Sequence, residues 1–175
     1  MSNSTLSPPT APTHDLAKLV ELVKDVRVAM MTTHSPDGGK LHSRPMYTHK
    51  IDATKFDGTL WFMTDIDSPK VEELVQHHDV LLTYAAPEKN RYVVVSGEVS
   101  VEKNPEVARE LWNVHAKGWW PGGPDDPKLG LIRVHVTSAE YWDGPSKVSY
   151  LFSLLKAVVK GNRVDVGGEH GKIET

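Results

Sequence analysis

The chain has 175 residues, a net charge of −3 and no cysteine, with 39% hydrophobic and 25% charged residues. This describes one globular domain rather than a disordered chain, and it excludes disulfides, thiol redox chemistry and cysteine-bound metals. A slightly acidic balance gives no general attraction to nucleic acid, so any anionic ligand has to be met by local charge. No apolar run approaches the ~20 residues of a membrane span. The opening MSNSTLSPPTAPT carries neither the basic nor the apolar part of a secretory signal, so the expectation is a cytoplasmic protein with no membrane partner.

Residues 1–13, rich in Ser, Thr and Pro, predict a flexible tail. Leu16, Leu19, Val20 and Val23 then recur at helical spacing, with Thr13 as an N-cap candidate. Val26 to Thr33 reads as a strand. Ser35-Pro36-Asp37-Gly38-Gly39 is turn chemistry, so Leu41 to His49 is expected to return as a hairpin partner. Thr59 to Thr64 is a third strand. Ser68-Pro69 opens a short helix whose buried face is Val71, Leu74 and Val75. Val80 to Ala85 and Tyr92 to Val101 are the fourth and fifth strands. Asn104-Pro105 opens a helix expected to carry Val107, Ala108, Leu111, Trp112 and His115 on one face. A Gly/Pro-rich loop from Gly118 to Pro127 holds Trp119 and Trp120. Leu129 to Trp142 is the sixth strand, Leu151 to Val159 a last amphipathic helix, and the rest tail. Six strands in hairpin-like succession predict a mainly β fold, an antiparallel barrel over 14–145 with flanking helices, followed by a C-terminal helix and tail over 146–175.

The chemistry concentrates after the third strand. In Met63-Thr64-Asp65-Ile66-Asp67-Ser68-Pro69-Lys70, Ser68 takes the N-cap position, Pro69 the first helical position and Lys70 the first turn. A helix start exposes backbone N–H groups and partial positive charge, which suits an anion. A lysine there opposes its own helix by a few tenths of a kcal/mol unless an anion lies nearby. Arg44, in His42-Ser43-Arg44-Pro45-Met46, adds a second cation with the forked geometry that grips phosphate. Pro45 removes a ladder donor, so that strand is expected at an edge. Trp61 and Phe62 fit a core by position, and are carried as cofactor-binding candidates with Met63 and Thr64 at the strand end. Adjacent indoles at Trp119 and Trp120 cannot both be buried by one periodicity, which points to a binding lid or subunit contact. Nine histidines show no metal-ligand spacing, and no H-E-x-x-H, G-x-G-x-x-G, P-loop or G-x-S-x-G motif occurs, so no metal is expected and no catalytic residue is assigned.

With these residues in view, the chain resembles the pyridoxamine 5′-phosphate oxidase-like flavoproteins, in particular the bacterial general stress protein branch. The segments that carry the resemblance are Leu41 to Met46, Leu60 to Lys70, Val95-Ser96-Gly97-Glu98-Val99, Trp120-Pro121-Gly122-Gly123-Pro124-Asp125-Asp126-Pro127 and Ala139 to Gly144. The resemblance implies a six-stranded split β-barrel that binds FMN, with FAD as a second candidate, at a homodimer interface. Arg44, Lys70 and Ser68 would grip the phosphate. Ser43, Pro45 and Met46 would line the isoalloxazine and ribityl side, and Met63 and Thr64 would offer strand-end contacts. Trp119, Trp120 and Trp142 would approach from the partner subunit. The implied function is a stress-related flavoprotein, an oxidoreductase passing hydride at the flavin between small-molecule donors and acceptors; the alternative is a non-catalytic flavin buffer or sensor. A haem or deazaflavin binder on the same barrel is a third reading. Tyr92 stands where the true oxidases carry a glutamine that touches the flavin, which speaks against that contact; Lys147 to Thr175 departs from their basic C-terminal pattern, which speaks against pyridoxamine phosphate oxidation.

Overall fold

The computed structural model describes residues 14–49, 51–145 and 168–174. The expected tail over 1–13 and the helix expected at Leu151 to Val159 lie outside them. The chain opens with helix α1 (His14–Val23), which buries Leu16, Leu19, Val20, Leu22 and Val23 against the sheet. Strands β1 (Val28–His34), β2 (Leu41–Tyr47), β3 (Thr59–Asp65), β4 (Asp79–Ala86), β5 (Arg91–Glu102) and β6 (Leu129–Asp143) follow, all paired antiparallel in the order β2-β1-β4-β5-β6-β3. Alternation of buried and exposed residues along β1 and β4 gives each strand one core face. The turn between β1 and β2 is closed by the Asp37 carboxylate, which accepts from Ser35 Oγ and the Gly39 N–H, and Gly38 supplies the φ of +69° that the turn requires.

β2 and β3 stand at opposite ends of the strand order, and the chain beyond β2 bridges them. His49 N–H donates to the Trp61 carbonyl at 3.2 Å, while Thr48 N–H reaches back to Arg27 at 2.8 Å. The sheet therefore curls into a half-barrel, the split form of a six-stranded barrel, around a core that includes Met31, Phe62, Leu82, Tyr84, Val95, Ile132 and Val134.

A seventh strand, β7 (Glu169–Glu174), departs from the expectation of a plain tail. It pairs with Ser138–Asp143 of β6, and Ile173 enters the core. Its sequence, Glu-His-Gly-Lys-Ile-Glu, has one apolar residue and gives almost no strand signal; the open edge of β6 supplies the order. β6 thus hands its outer edge from β3 to β7. At that hand-over Thr137 is squeezed out of register with β5, and its hydroxyl donates to the Ser96 carbonyl at 3.1 Å.

The helix predicted after Asn104 is two helices, α3 (Pro105–Leu111) and α4 (Val114–Trp119). Asn104 caps the first. Asn113 caps the second by accepting the N–H groups of His115 and Ala116. An asparagine that can satisfy two free donors starts a helix better than it continues one. With α2 (Pro69–Gln76), these helices cover one end of the barrel, where a second apolar cluster of Met63, Ala108, Ala116, Leu129 and Leu131 takes in Trp61, Trp112 and Trp120.

Gly97 sits at the register shift, where an added Cβ would lie 2.6 Å from Val134 Cγ1 and 2.7 Å from the His135 carbonyl. Backbone cannot yield as a side chain does, so Gly97→Ala is expected to cost about 1–3 kcal/mol. Ser100→Ala, exposed on the same strand, should stay within about 0.5 kcal/mol of wild type in urea unfolding.

Candidate functional site

The turn from β3 into α2 is held through its backbone N–H groups. Ile66 N–H donates to Lys128, Asp67 N–H to the Asp65 carboxylate and Ser68 N–H to the Asp65 carbonyl. Ser68 has the extended φ and ψ of an N-cap and Pro69 occupies the first turn, as the sequence predicts, but the Ser68 hydroxyl does not cap. It receives Lys70 Nζ at 3.2 Å instead, and Lys70 also donates to Thr64 Oγ1 at 2.9 Å. Thr64, Ser68 and Lys70 so form a small polar cradle at the end of β3. Burial lowers the Lys70 ammonium from its ordinary range, and the Arg44 charge lowers it further, against the pull of Asp65 and Glu73.

Arg44 reaches the same helix from β2. Its Nη2 donates to Glu73 Oε2 at 2.6 Å. Glu73 is one turn beyond Lys70 and only 5% exposed. Thr33 Oγ1 donates to the same oxygen at 2.6 Å, and His42 Nδ1 lies 2.6 Å from Oε1. Burial alone would push the Glu73 carboxyl up. The hydrogen bonds from Thr33, His42 and Arg44, with the Arg44 charge, outweigh it and hold the group at about 2. Arg44 Nη1 is buried and has no hydrogen-bond partner among the described residues.

Beside the cradle opens a cavity of about 540 Å³. β2 contributes Pro45, Met46 and Tyr47, and the chain just beyond it His49. β3 contributes Met63, Thr64 and Asp65, and α2 contributes Lys70. Asn113, His115, Ala116, Trp119 and Trp120 close it from α4 and its flanks. Trp119 is 80% exposed at this wall, whereas Trp120 packs into the second apolar cluster. The two indoles divide as their adjacency requires, one out and one in. Tyr47 stands between two histidines, its ring 5.9 Å from His49 and 6.2 Å from His115. Burial lowers the His49 ring pKa, opposed by its hydrogen bond to the Leu111 backbone.

The structure therefore gathers Pro45, Met46, Met63, Thr64, Lys70, Trp119 and Trp120 around one cavity, with Ser68 at the cradle and Arg44 beside it. Four other candidates lie elsewhere in the chain. Phe62 is wholly buried in the main core, and Trp61 packs into the second cluster. Ser43 turns to the outer face of the sheet, where Thr32 Oγ1 donates to it at 3.1 Å. Trp142 lies at the opposite end of β6 from the residues that pair with β3, stacked on His170 at 5.0 Å. Tyr47, His49, Asp65, Asn113, His115 and Ala116 also reach the cavity, and Glu73 stands behind it; none of these is among the sequence candidates. Of them Glu73 alone carries a readable signal: three residues after Lys70 on an amphipathic helix, it shares that residue's face.

Comparison with known proteins places this geometry. A family model described as pyridoxamine 5′-phosphate oxidase like matches residues 14–165. The chain belongs to this family. It is 28% identical to a general stress FMN/FAD binding protein from Xanthomonas citri, over 75% of this chain and 90% of that one, with a TM-score of 0.63. A protein of the general stress protein 26 type from Jannaschia sp. CCS1 has the same fold at a TM-score of 0.74, with 20% identity, 94% of this chain and 100% of that chain covered. Protein bli-3 of Neurospora crassa is 29% identical over 123 residues, 66% of this chain. The chain spans 58% of the length of that curated relative. Among the described residues no group of three His, Cys, Asp or Glu is placed to hold a metal, and no helix is long and apolar enough to cross a membrane.

The residues of the cradle fit a phosphate-bearing group. A buried guanidinium nitrogen without a partner among the described residues, an ammonium destabilised by burial and by that guanidinium, and two hydroxyls beside it are groups that a phosphate would satisfy.

Glu73 titrates below its ordinary 4.5, so its stabilisation is fully present above that value and is lost as pH falls toward 2. The loss should be on the order of 3 kcal/mol. Urea unfolding followed from neutral pH down to about pH 2 is expected to show it, and Glu73→Gln should flatten that acid limb while lowering stability at neutral pH.

Proposed function

We propose that the chain is a homodimeric flavoprotein that binds FMN, its terminal phosphate held by Lys70, Ser68, Thr64 and Arg44. The observation that carries this reading is the buried Arg44 Nη1, which has no hydrogen-bond partner among the described residues while the Arg44 charge acts on Lys70: a single dianion would satisfy both cations together. The printed name of the Xanthomonas citri relative, FMN/FAD binding, supports the cofactor class. Pro45, Met46 and Met63 would offer the isoalloxazine an apolar wall, and Trp119 an indole to lie against it. FMN is favoured over FAD because the cradle offers its donors to a terminal monoester.

The homodimer is supported by the outer face of β2-β1-β4. Val28, Met30, Tyr47 and Leu81 are each about two-fifths exposed or more, and register places Val28 beside Tyr47 and Ser43 and Leu81 on either side of Thr32. A contiguous apolar face of this kind suits a second copy of the chain. Such a partner would bring Ser43 from one subunit, and Trp142 from the other, within range of a shared flavin.

When bound, the flavin supplies the redox chemistry, accepting or donating hydride at its ring. The protein's own residues would bind the phosphate, exclude water with Trp119 and Trp120, and present the rings of His49, His115 and Tyr47 on the cavity wall. Purified protein is expected to turn yellow and shift the flavin absorbance bands on reconstitution with FMN; unshifted bands would defeat the cofactor reading. Steady NAD(P)H oxidation with an electron acceptor would mark an oxidoreductase, and flavin binding without turnover a buffer or sensor. Lys70→Ala should weaken FMN roughly 10–100-fold and riboflavin less than about threefold, read by flavin fluorescence titration.

A further inference from the structure

Glu73 does not line the cavity, yet it is the most heavily engaged side chain beside it. Its Oε2 accepts from Thr33 and from Arg44, and its Oε1 meets His42, each at 2.6 Å. Thr33 and His42 are direct cross-strand partners on β1 and β2, so the carboxylate is gripped by two strands at a fixed register. It cannot rotate without losing a partner in a buried setting.

A guanidinium is a planar fork, so fixing one terminal nitrogen fixes the direction of the other. Glu73 takes Nη2, and Nη1 is left buried with no partner among the described residues. Lys70 stands one turn before Glu73 on α2 and feels both the Arg44 and the Glu73 charges. Two like charges that act on each other would move apart if their side chains were free. A carboxylate near both counters that repulsion while leaving Nη1 and Nζ available.

We propose that Glu73 is the positioning residue of the phosphate site: it holds Arg44 by Nη2 so that Nη1 and Lys70 Nζ meet one phosphoryl group. This rests on the FMN-phosphate reading above. The property it governs is the preference for a phosphorylated flavin over an unphosphorylated one, rather than flavin affinity at large.

The measurement is the ratio of the riboflavin and FMN dissociation constants, taken by fluorescence titration on the full chain. Glu73→Ala is expected to lower that ratio by about tenfold or more by weakening FMN, with riboflavin changed by less than about twofold. In an Arg44→Ala background the same change should leave the ratio within about twofold, because the residue it positions is gone. A folded Glu73→Ala protein with the wild-type ratio overturns the positioning role. A wild-type chain that does not prefer FMN to riboflavin overturns the phosphate reading itself, a different outcome. Where Glu73→Ala does not fold, Thr33→Val removes one donor from Oε2 and should lower the ratio about threefold. An unchanged ratio there overturns the proposal equally.

Discussion

The Glu73 carboxylate ties α2 to β1 and β2 in the interior of the half-barrel. A buried charge of this kind is costly to desolvate and stabilises the fold only when its lone pairs are met by good donors. Thr33, His42 and Arg44 meet them at 2.6 Å each. The tie fixes where α2 begins relative to the edge strand that carries Arg44. Because Lys70 lies in the first turn of α2, the same tie fixes the spacing of the two cations. The cradle and the proposed phosphate contacts follow from that placement.

The local electrostatics run against those of the whole molecule. The chain carries −3 overall, yet two partly buried cations, Arg44 and Lys70, act on each other unfavourably. Nothing in ordinary folding favours leaving a guanidinium nitrogen unpaired and an ammonium partly desolvated. An arrangement that is uncomfortable alone and relieved by an anion is how a ligand site differs from a structural ion pair. The apolar remainder of the cavity, with Pro45, Met46, Met63 and the indoles, suits the ring system that such an anion would be attached to.

The six strands were legible because their alternation and turn residues agree, as at Asp37-Gly38 between β1 and β2. The start of α2 was legible because Ser-Pro-Lys obeys helix-start rules. The seventh strand was not: Ile173 is its one apolar anchor, and its order comes from the open edge of β6, a tertiary effect without a local signature. The break between α3 and α4 turns on Asn113, which serves a helix interior poorly and a cap well. Within the site, Arg44, Ser68 and Lys70 could be found as charges and hydroxyls near a helix start. His49, His115 and Tyr47 reach the cavity only through the closure of β2 onto β3 and the cap at Asn113, so no spacing revealed them. Trp61 and Phe62 show the reverse case: aromatic, adjacent to the site in sequence, and spent on the two apolar clusters.

In the proposed complex, Lys70 and Arg44 hold the terminal phosphate of FMN as a dianion. Phosphorus NMR of FMN bound to the full chain reads that charge state. Free FMN loses its second phosphate proton near pH 6, as phosphate monoesters do at about that value. The bound resonance is expected to stay at its dianionic position through that range, with Lys70→Ala restoring titration. A bound phosphate that titrates as it does in free FMN would show that Lys70 and Arg44 do not hold it.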